Sequence, residues 1–421
     1  MTIAEIIEML TDEGTPMRFE AYDGSGTGPI DSPFTMRLLS ERGLRYIATA
    51  PGDLGLGRAY VAGDLRIEGA HPGDPYEAFK VLGKWRVRRP TPADAAKVLK
   101  QMGWRNLVPP QPPAQETLPQ WRRIAEGLRH SRRRDADMIH HHYDVSNAFY
   151  ERVLGPSMTY TCALFPKPDA SLEEAQEEKL DLVARKLDLQ PGMRLLDVGC
   201  GWGSMAVHAA KHYGVSVVAV TLSKEQASWG QVATERAGLS DKITILHSDY
   251  RDAPGEGYDA VSSIGLLEHV GVQNYASYFR FLRDKLRDGW RLLNHCITRP
   301  TNSERVKTGA FIDRYVFPDG ELTASGRIIT EAQDAGLEVR HEENLREHYA
   351  LTLTQWCANL VANWDACVAE VGEATARIWG LYMAGSRLSF ERNEIQLHQV
   401  LGVRVSPNGD ASFSLRPSWE R

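Results

Sequence analysis

The chain has 421 residues, enough for two domains or one large one, and its 42% hydrophobic and 25% charged content is that of an ordinary globular protein rather than a disordered one. A formal net charge of -6 argues against a nucleic-acid-binding protein, and no apolar run reaches the roughly 18 residues of a membrane-spanning helix. The cysteines (Cys162, Cys200, Cys296, Cys357, Cys367) are scattered, with no C-x-x-C pair and no metal-ligand spacing, so reduced thiols are expected, with neither a disulfide framework nor a metal site.

The first residues, Met1 to Met9, place acids and apolar residues at helical spacing and lack the basic start and apolar core of a signal peptide, so a cytoplasmic protein is expected. Residues 1–108 read as an N-terminal accessory domain whose turns are marked by glycine and proline. Membrane docking and dimerisation are both open roles for it. Gly55-x-Gly57 within it has no clear strand before it, which favours a structural reading over cofactor binding. The prolines of residues 109–119 favour an extended, semi-rigid linker. Behind it, Trp121 to Arg134 is helix-compatible and carries Arg122, Arg123, Arg129, Arg132, Arg133 and Arg134. In an acidic chain this run suits anionic head groups, at about 1 kcal/mol per basic residue near such a surface, or a solvated helix face. His140-His-His cannot turn all three imidazoles to one metal ion from a helix or a strand, so packing roles are expected there.

Ser171-Leu-Glu-Glu174 has capping-box spacing and opens a helix through Leu187. Strands then alternate with helices: Arg194 to Val198, Val215 to Val220, Ile243 to His247, Tyr258 to Ile264 and Arg291 to Ile297. Such alternation predicts an α/β fold with a doubly wound parallel sheet whose ligands bind at the carboxyl ends of the strands. That rim gathers Gly199 to Gly203, Thr221 to Gln226, Asp249, Glu268 and His295. Residues 120–421 thus read as one catalytic domain. Its aromatic helical stretch through Phe390 could line a tunnel for an acyl chain, although such stripes are more often core.

The strand ending Leu195-Leu196-Asp197-Val198 runs into Gly199-Cys-Gly201-Trp-Gly203, a nucleotide-binding turn. A dinucleotide fold would use G-x-G-x-x-G with an acid about 20 residues on. Here the spacing is G-x-G-x-G, Asp197 precedes the glycines, and the next strand ends in Thr221-Leu222-Ser223 without a carboxylate. S-adenosylmethionine (SAM) fits this pattern better than NAD.

Several motifs in order then carry a resemblance: His141-His-Tyr-Asp-Val-Ser-Asn-x-Phe-Tyr, Met158-Thr-Tyr-Thr-Cys-Ala, Leu196-Asp-Val-Gly-Cys-Gly-Trp-Gly, Thr221-Leu-Ser-x-x-Gln, Ser263-Ile-Gly-x-x-Glu-His-Val-Gly and Tyr315-x-Phe-Pro-Asp-Gly. Over about residues 120 to 390 the chain resembles the SAM-dependent cyclopropane fatty acid synthase family. The resemblance implies a Rossmann-like methyltransferase fold and a substrate that is a cis-unsaturated acyl chain in a phospholipid. It implies SAM held by Tyr160, Thr161, Asp197, Gly199, Gly201, Gly203, Thr221, Leu222, Ser223, Gln226, Asp249 and Tyr250. It also implies a bicarbonate ion at the reacting centre, held by Cys162, Glu268, His295, the backbone of Ile297, and Tyr349. The family's His-Thr-Ile is His295-Cys296-Ile297 here, a departure that could alter the pocket.

An alkene is a feeble nucleophile, so catalysis there rests on placing it in line with the sulfonium methyl and excluding water. Methyl transfer leaves a carbocation, which aromatic faces stabilise, and a base must then remove a proton. Loss from the transferred methyl closes a cyclopropane; a prior hydride shift gives an exocyclic methylene. The whole chain looks most like the actinobacterial methyltransferases of tuberculostearic acid synthesis, which implies the 10-methylene product and a separate flavin-dependent reductase as partner. A peripheral site at the inner face of the membrane follows from the arginine run. A homo-oligomer is left open, and a small-molecule methyltransferase and a non-catalytic lipid-binding protein are the rival readings.

Overall fold

The computed structural model describes residues 1–12, 14–86, 88, 91–94, 97, 100, 108–117, 145–303, 308–417 and 419. The Arg122 to Arg134 run and His140 to His142 lie outside the described residues. The chain forms two compact units, one of Met1–Leu118, Gly309–Pro318 and Trp356–Leu388, the other of Pro119–Thr308, Asp319–Gln355 and Ser389–Arg421.

The first unit is built on a four-stranded sheet of order β2-β1-β3-β4, with β1 Arg18–Ala21, β2 Gly26–Thr27, β3 Thr35–Leu38 and β4 Leu65–Glu68. Alternation sets Phe19, Met36, Leu38 and Leu65 into a core with Tyr46 and Ala59. Gly55 and Gly57 lie inside the helix Asp53–Val61, where a Cβ on Gly55 would meet the Ala50 carbonyl at 2.3 Å and one on Gly57 the Phe311 ring at 2.5 Å. Close packing, not a cofactor, requires them.

The sequence placed residues 120–421 in one domain, yet the chain returns twice to this unit. Phe311 packs on Gly57, Leu360 and Trp364 come within 3.3 Å of where a Gly73 Cβ would be, and Arg377 donates to the Tyr60 carbonyl at 3.0 Å. The aromatic stretch is accordingly packed here, with Trp356, Trp379, Tyr382 and Met383 all buried. The proline-rich stretch is likewise pinned rather than a free spacer. Tyr46 donates to Gln111, Thr117 donates to Arg314, and the fully enclosed Glu116 carboxylate takes Arg58 at 2.6 and 2.7 Å, Tyr315 Oη at 2.9 Å, and Arg314.

The second unit carries a seven-stranded sheet of order β10-β11-β9-β8-β5-β6-β7. Its strands are β5 Arg194–Val198, β6 Ser216–Thr221, β7 Ile243–His247, β8 Tyr258–Ile264, β9 Leu286–Thr298, β10 Glu338–Asn344 and β11 Gln396–Arg404. Strands β5 to β9 run parallel, as the alternation predicts, while β11 lies antiparallel between β9 and β10. Adjacent residues feed opposite faces: Leu195 joins the core under the helices Leu172–Leu187 and Ser204–Tyr213, and Leu196 the core under Tyr275–Lys285. The predicted capping box is formed, Glu174 N donating to Ser171 Oγ at 3.2 Å and Ser171 N to Glu174 Oε2 at 2.8 Å. From β5 the chain winds outward through β6 and β7, then resumes at β8 on the other side of β5. That reversal opens a crevice at the carboxyl ends of β5 and β8.

Candidate active site

At the end of β5 the backbone turns through Gly199 (φ +73°), Gly201 (φ +55°) and Gly203 (φ +88°), conformations that side chains with a Cβ rarely adopt. The amides of Gly199 and Cys200 both donate to the Val220 carbonyl, at 2.9 and 3.0 Å, which ties the turn to β6. Beside it lies a cleft with about 890 Å³ of space, counting its open mouth. Of the residues implied for SAM, Tyr160, Thr161, Asp197, Gly199, Gly201, Thr221, Leu222, Gln226 and Tyr250 line it.

Three others do not line the cleft but shape its walls. Gly203 caps the helix Ser204–Tyr213, and Ser223 caps the helix Lys224–Arg236 by accepting from Gln226 N at 3.2 Å. The Asp249 carboxylate caps the next turn, taking Arg251 N at 2.9 Å and Arg251 Nε at 2.7 Å, and Ser248 lines the cleft in its place. Asp197 accepts from Ser262 Oγ at 2.6 Å through one oxygen while the other has no partner among the described residues, and burial pushes this carboxyl up to about 6.

One wall is a strap, Met158 to Cys162, pinned from below by the helix Leu172–Leu187. Gln176 Nε2 donates to the carbonyls of Thr159 (3.3 Å) and Thr161 (2.9 Å), and Lys179 Nζ to Thr161 Oγ1 (2.8 Å). Burial lowers the Lys179 ammonium to about 8. Tyr150 stands behind the strap, its ring 5.9 Å from Tyr160 and 4.7 Å from Trp202. Sequence reasoning passed over Lys179 and Gln176. The signal was present: Gln176, Lys179, Val183 and Lys186 recur at spacings of three, four and three, so polar groups sit on the helix's buried face.

None of the residues implied for the anion lines the cleft, although Cys162 and Glu268 are sequence neighbours of the cleft-lining Thr161 and His269. Glu268, one residue before the cleft-lining His269, accepts from the Ile297 amide at 2.8 Å. Its other oxygen is buried without a partner among the described residues, and burial pushes the carboxyl up to about 7. His295 stands two residues before Ile297 on β9, and its carbonyl accepts from the amide of Gly265 in the cleft wall at 2.8 Å. Its Nε2 is buried without a partner among the described residues, and burial, with Lys179 and Lys186 nearby, holds its ionisation well below the usual range.

Cys162 directs its thiol toward the carbonyls of Ala163 and Leu345, at 3.2 and 3.7 Å, and burial pushes the thiol up, so it is un-ionised and a hydrogen-bond donor rather than a nucleophile. The Leu345 carbonyl also takes the Tyr349 amide at 3.2 Å, which places Cys162 and Tyr349 about one turn of backbone, while the Tyr349 ring stacks on Phe390 at 4.5 Å. Cys296 faces away from His295 into the apolar core that holds Tyr275 and Tyr278, with its sulfur 3.3 Å from Asn294 Nδ2.

Residues 130–400 match the family model described as mycolic acid cyclopropane synthetase. The chain belongs to this family. It is 59% identical over 423 residues to a probable fatty acid methyltransferase of Mycobacterium tuberculosis, with 100% of this chain and 99% of that protein covered. It is 37% identical over 268 residues to the cyclopropane-fatty-acyl-phospholipid synthase of Escherichia coli K12, covering 64% of this chain and 68% of that protein. Among solved structures, a mycolic acid cyclopropane synthase complexed with SAH and CTAB matches with a TM-score of 0.60 and 33% identity, over 63% of this chain and 97% of that one. The expected family, methyltransferase fold and SAM dependence are therefore correct, and the chain is a SAM-dependent methyltransferase of the cyclopropane synthase family.

Proposed function

We propose that this enzyme methylates the cis double bond of an oleoyl-type phospholipid acyl chain, giving a 10-methylene chain. The observation that carries a lipid alkene over a small polar substrate is that Glu268 Oε2 and His295 Nε2 are both buried without a partner among the described residues, while Glu268 is tied through the Ile297 amide to the strand that bears His295. Buried polar atoms are rarely left unpaired, and a donor with an acceptor suits a small oxyanion such as bicarbonate. An alkene brings no acidic proton of its own, so a proton acceptor is needed only after methyl transfer. Bound bicarbonate would supply that acceptor. The named relatives, a fatty acid methyltransferase and a fatty-acyl-phospholipid synthase, support the same substrate class.

On this reading the glycine turn admits the SAM backbone, and Tyr160 and Trp202 offer ring faces to positive charge at about 0.5 to 2 kcal/mol each. Glu268, Cys162 and Tyr349 orient the anion, and Glu268, titrating near neutrality, serves as terminal proton acceptor. The arginine run Arg122 to Arg134 brings the enzyme to the anionic inner face of the membrane, and a flavin-dependent reductase completes the 10-methyl product. The likeness along the whole chain is to a protein named as a fatty acid methyltransferase, whereas that to the cyclopropane-fatty-acyl-phospholipid synthase covers 64% of this chain, which supports a methylated product over a closed ring.

The test is incubation of the purified protein with SAM, bicarbonate and dioleoyl phospholipid vesicles, followed by mass spectrometry and proton NMR of the released chains. Chains heavier by one CH2 with downfield vinylidene protons are expected. Upfield ring protons would move the enzyme to the cyclopropane branch, and unchanged chains would overturn the lipid substrate.

A further inference from the structure

The environment of His295 determines which of its nitrogens carries the proton. In the antiparallel pairing of β11 with β9, Gln399 sits directly opposite His295, and in the pairing of β10 with β11, Glu343 sits opposite Gln399. The three side chains form a cross-strand row, and Lys186 of the helix Leu172–Leu187 lies over it. Its Nζ donates to Gln399 Oε1 at 2.7 Å and pairs with Glu343. Lys186, Gln399 and His295 are each 0 to 1% exposed, so bulk solvent does not reach them.

An ammonium group donates and never accepts. Lys186 therefore commits the carbonyl end of the Gln399 amide to itself, which leaves the NH2 end facing His295 Nδ1, at 3.2 Å. An NH2 group can only donate, so Nδ1 must present its lone pair. A neutral imidazole with Nδ1 unprotonated carries its hydrogen on Nε2, the atom without a protein partner.

We infer that Lys186 and Gln399 are positioning residues that lock His295 as the neutral Nε2–H tautomer, making it a dedicated hydrogen-bond donor at the reacting centre and barring it from taking the proton. The consequence is a division of labour. His295 holds an oxyanion by donation, and terminal proton acceptance falls to Glu268. The identity of that oxyanion rests on the proposed function; the tautomer does not.

The experiment is long-range proton–nitrogen NMR of the full-length enzyme labelled with 15N-histidine, His295 being assigned by the signal lost in His295→Asn. The wild type is expected to show a protonated Nε2 and a lone-pair Nδ1 without any added substrate. Gln399→Glu, close in shape and still able to accept from Lys186, is expected to move the proton to Nδ1 and to lower kcat by about 10–100-fold, with SAM affinity unchanged. Lys186→Met frees the amide to rotate and is expected to give a mixture of the two tautomers. A wild-type proton on Nδ1, an imidazolium, or a Gln399→Glu spectrum with Nε2 still protonated overturns the inference. The wild-type spectrum needs no variant to fold and no lipid turnover, so failure of the lipid reading and failure of this one are read separately.

Discussion

Each unit of the molecule buries a glutamate, and the two are treated in opposite ways. In the first unit Glu116 is enclosed by Arg58, Arg314 and Tyr315, and both of its oxygens are taken. In the second, among the described residues, Glu268 has one backbone amide on one oxygen, nothing on the other and no cation paired to it. A carboxylate whose two oxygens are both taken by guanidinium and phenol groups has nothing left to offer. One buried with half its capacity open is held near neutrality in pH, ready to gain or lose a proton.

The sharpest break of this contrast is Glu268→Gln. The amide keeps an acceptor for Ile297 but cannot titrate, so methyl transfer is expected to fall by about 10²–10⁴-fold while the melting temperature holds or rises. Loss of folding with retained specific activity would reverse the assignment. Glu116→Gln is the mirror experiment. It leaves two arginines facing a neutral amide and is expected to cost about 3–5 kcal/mol in denaturant unfolding of the whole chain, with little change in turnover per folded molecule.

Next in size, Gly57→Ala sets a Cβ 2.5 Å from the Phe311 ring and is expected to cost about 1–3 kcal/mol, partly offset by helix propensity, without changing SAM affinity measured by calorimetry. The smallest effect is a pH dependence. The Glu268 carboxyl is raised from 4.5 to about 7 by burial, so its protonated form favours the folded state. That contribution is complete below about 4.5 and is lost as pH rises through about 7. Melting temperatures compared at pH 6 and pH 8 should show a loss in the wild type that Glu268→Gln lacks. The wild-type pH–rate profile should show a group near 7 that the same variant removes.

Much of the second unit was legible because its signals are local. An apolar run before three glycines marks β5, Ser171 with Glu174 marks a helix start, and β5 to β9 announce themselves as buried strands. β10 and β11 were missed for a physical reason. β10 reads Glu-Val-Arg-His-Glu-Glu-Asn, an edge strand too polar to register, and β11 puts His398 and Gln399 where a buried strand should be apolar. Those two polar groups are tolerated inside because Thr298 bonds His398 at 2.7 Å and Lys186 and His295 engage Gln399. Pairing across some 100 positions of chain leaves no local trace. Asp249, which the resemblance implies for SAM, lies just past β7, and its carboxylate takes Arg251, two residues on. The chain's return to the first unit was invisible for a similar reason: a Leu, Trp and Tyr stripe announces burial without naming what it packs against.

The position of β11 also bears on when this enzyme becomes active as it is made. It is the last strand of its sheet to leave the ribosome, yet it inserts between β9 and β10, both already synthesised. Until it does, His295 lacks the neighbour that orients it, and the β9 edge stays open. A nascent chain can assemble its glycine turn early and gain an oriented His295 only at the end, so the turn precedes the completed reacting centre.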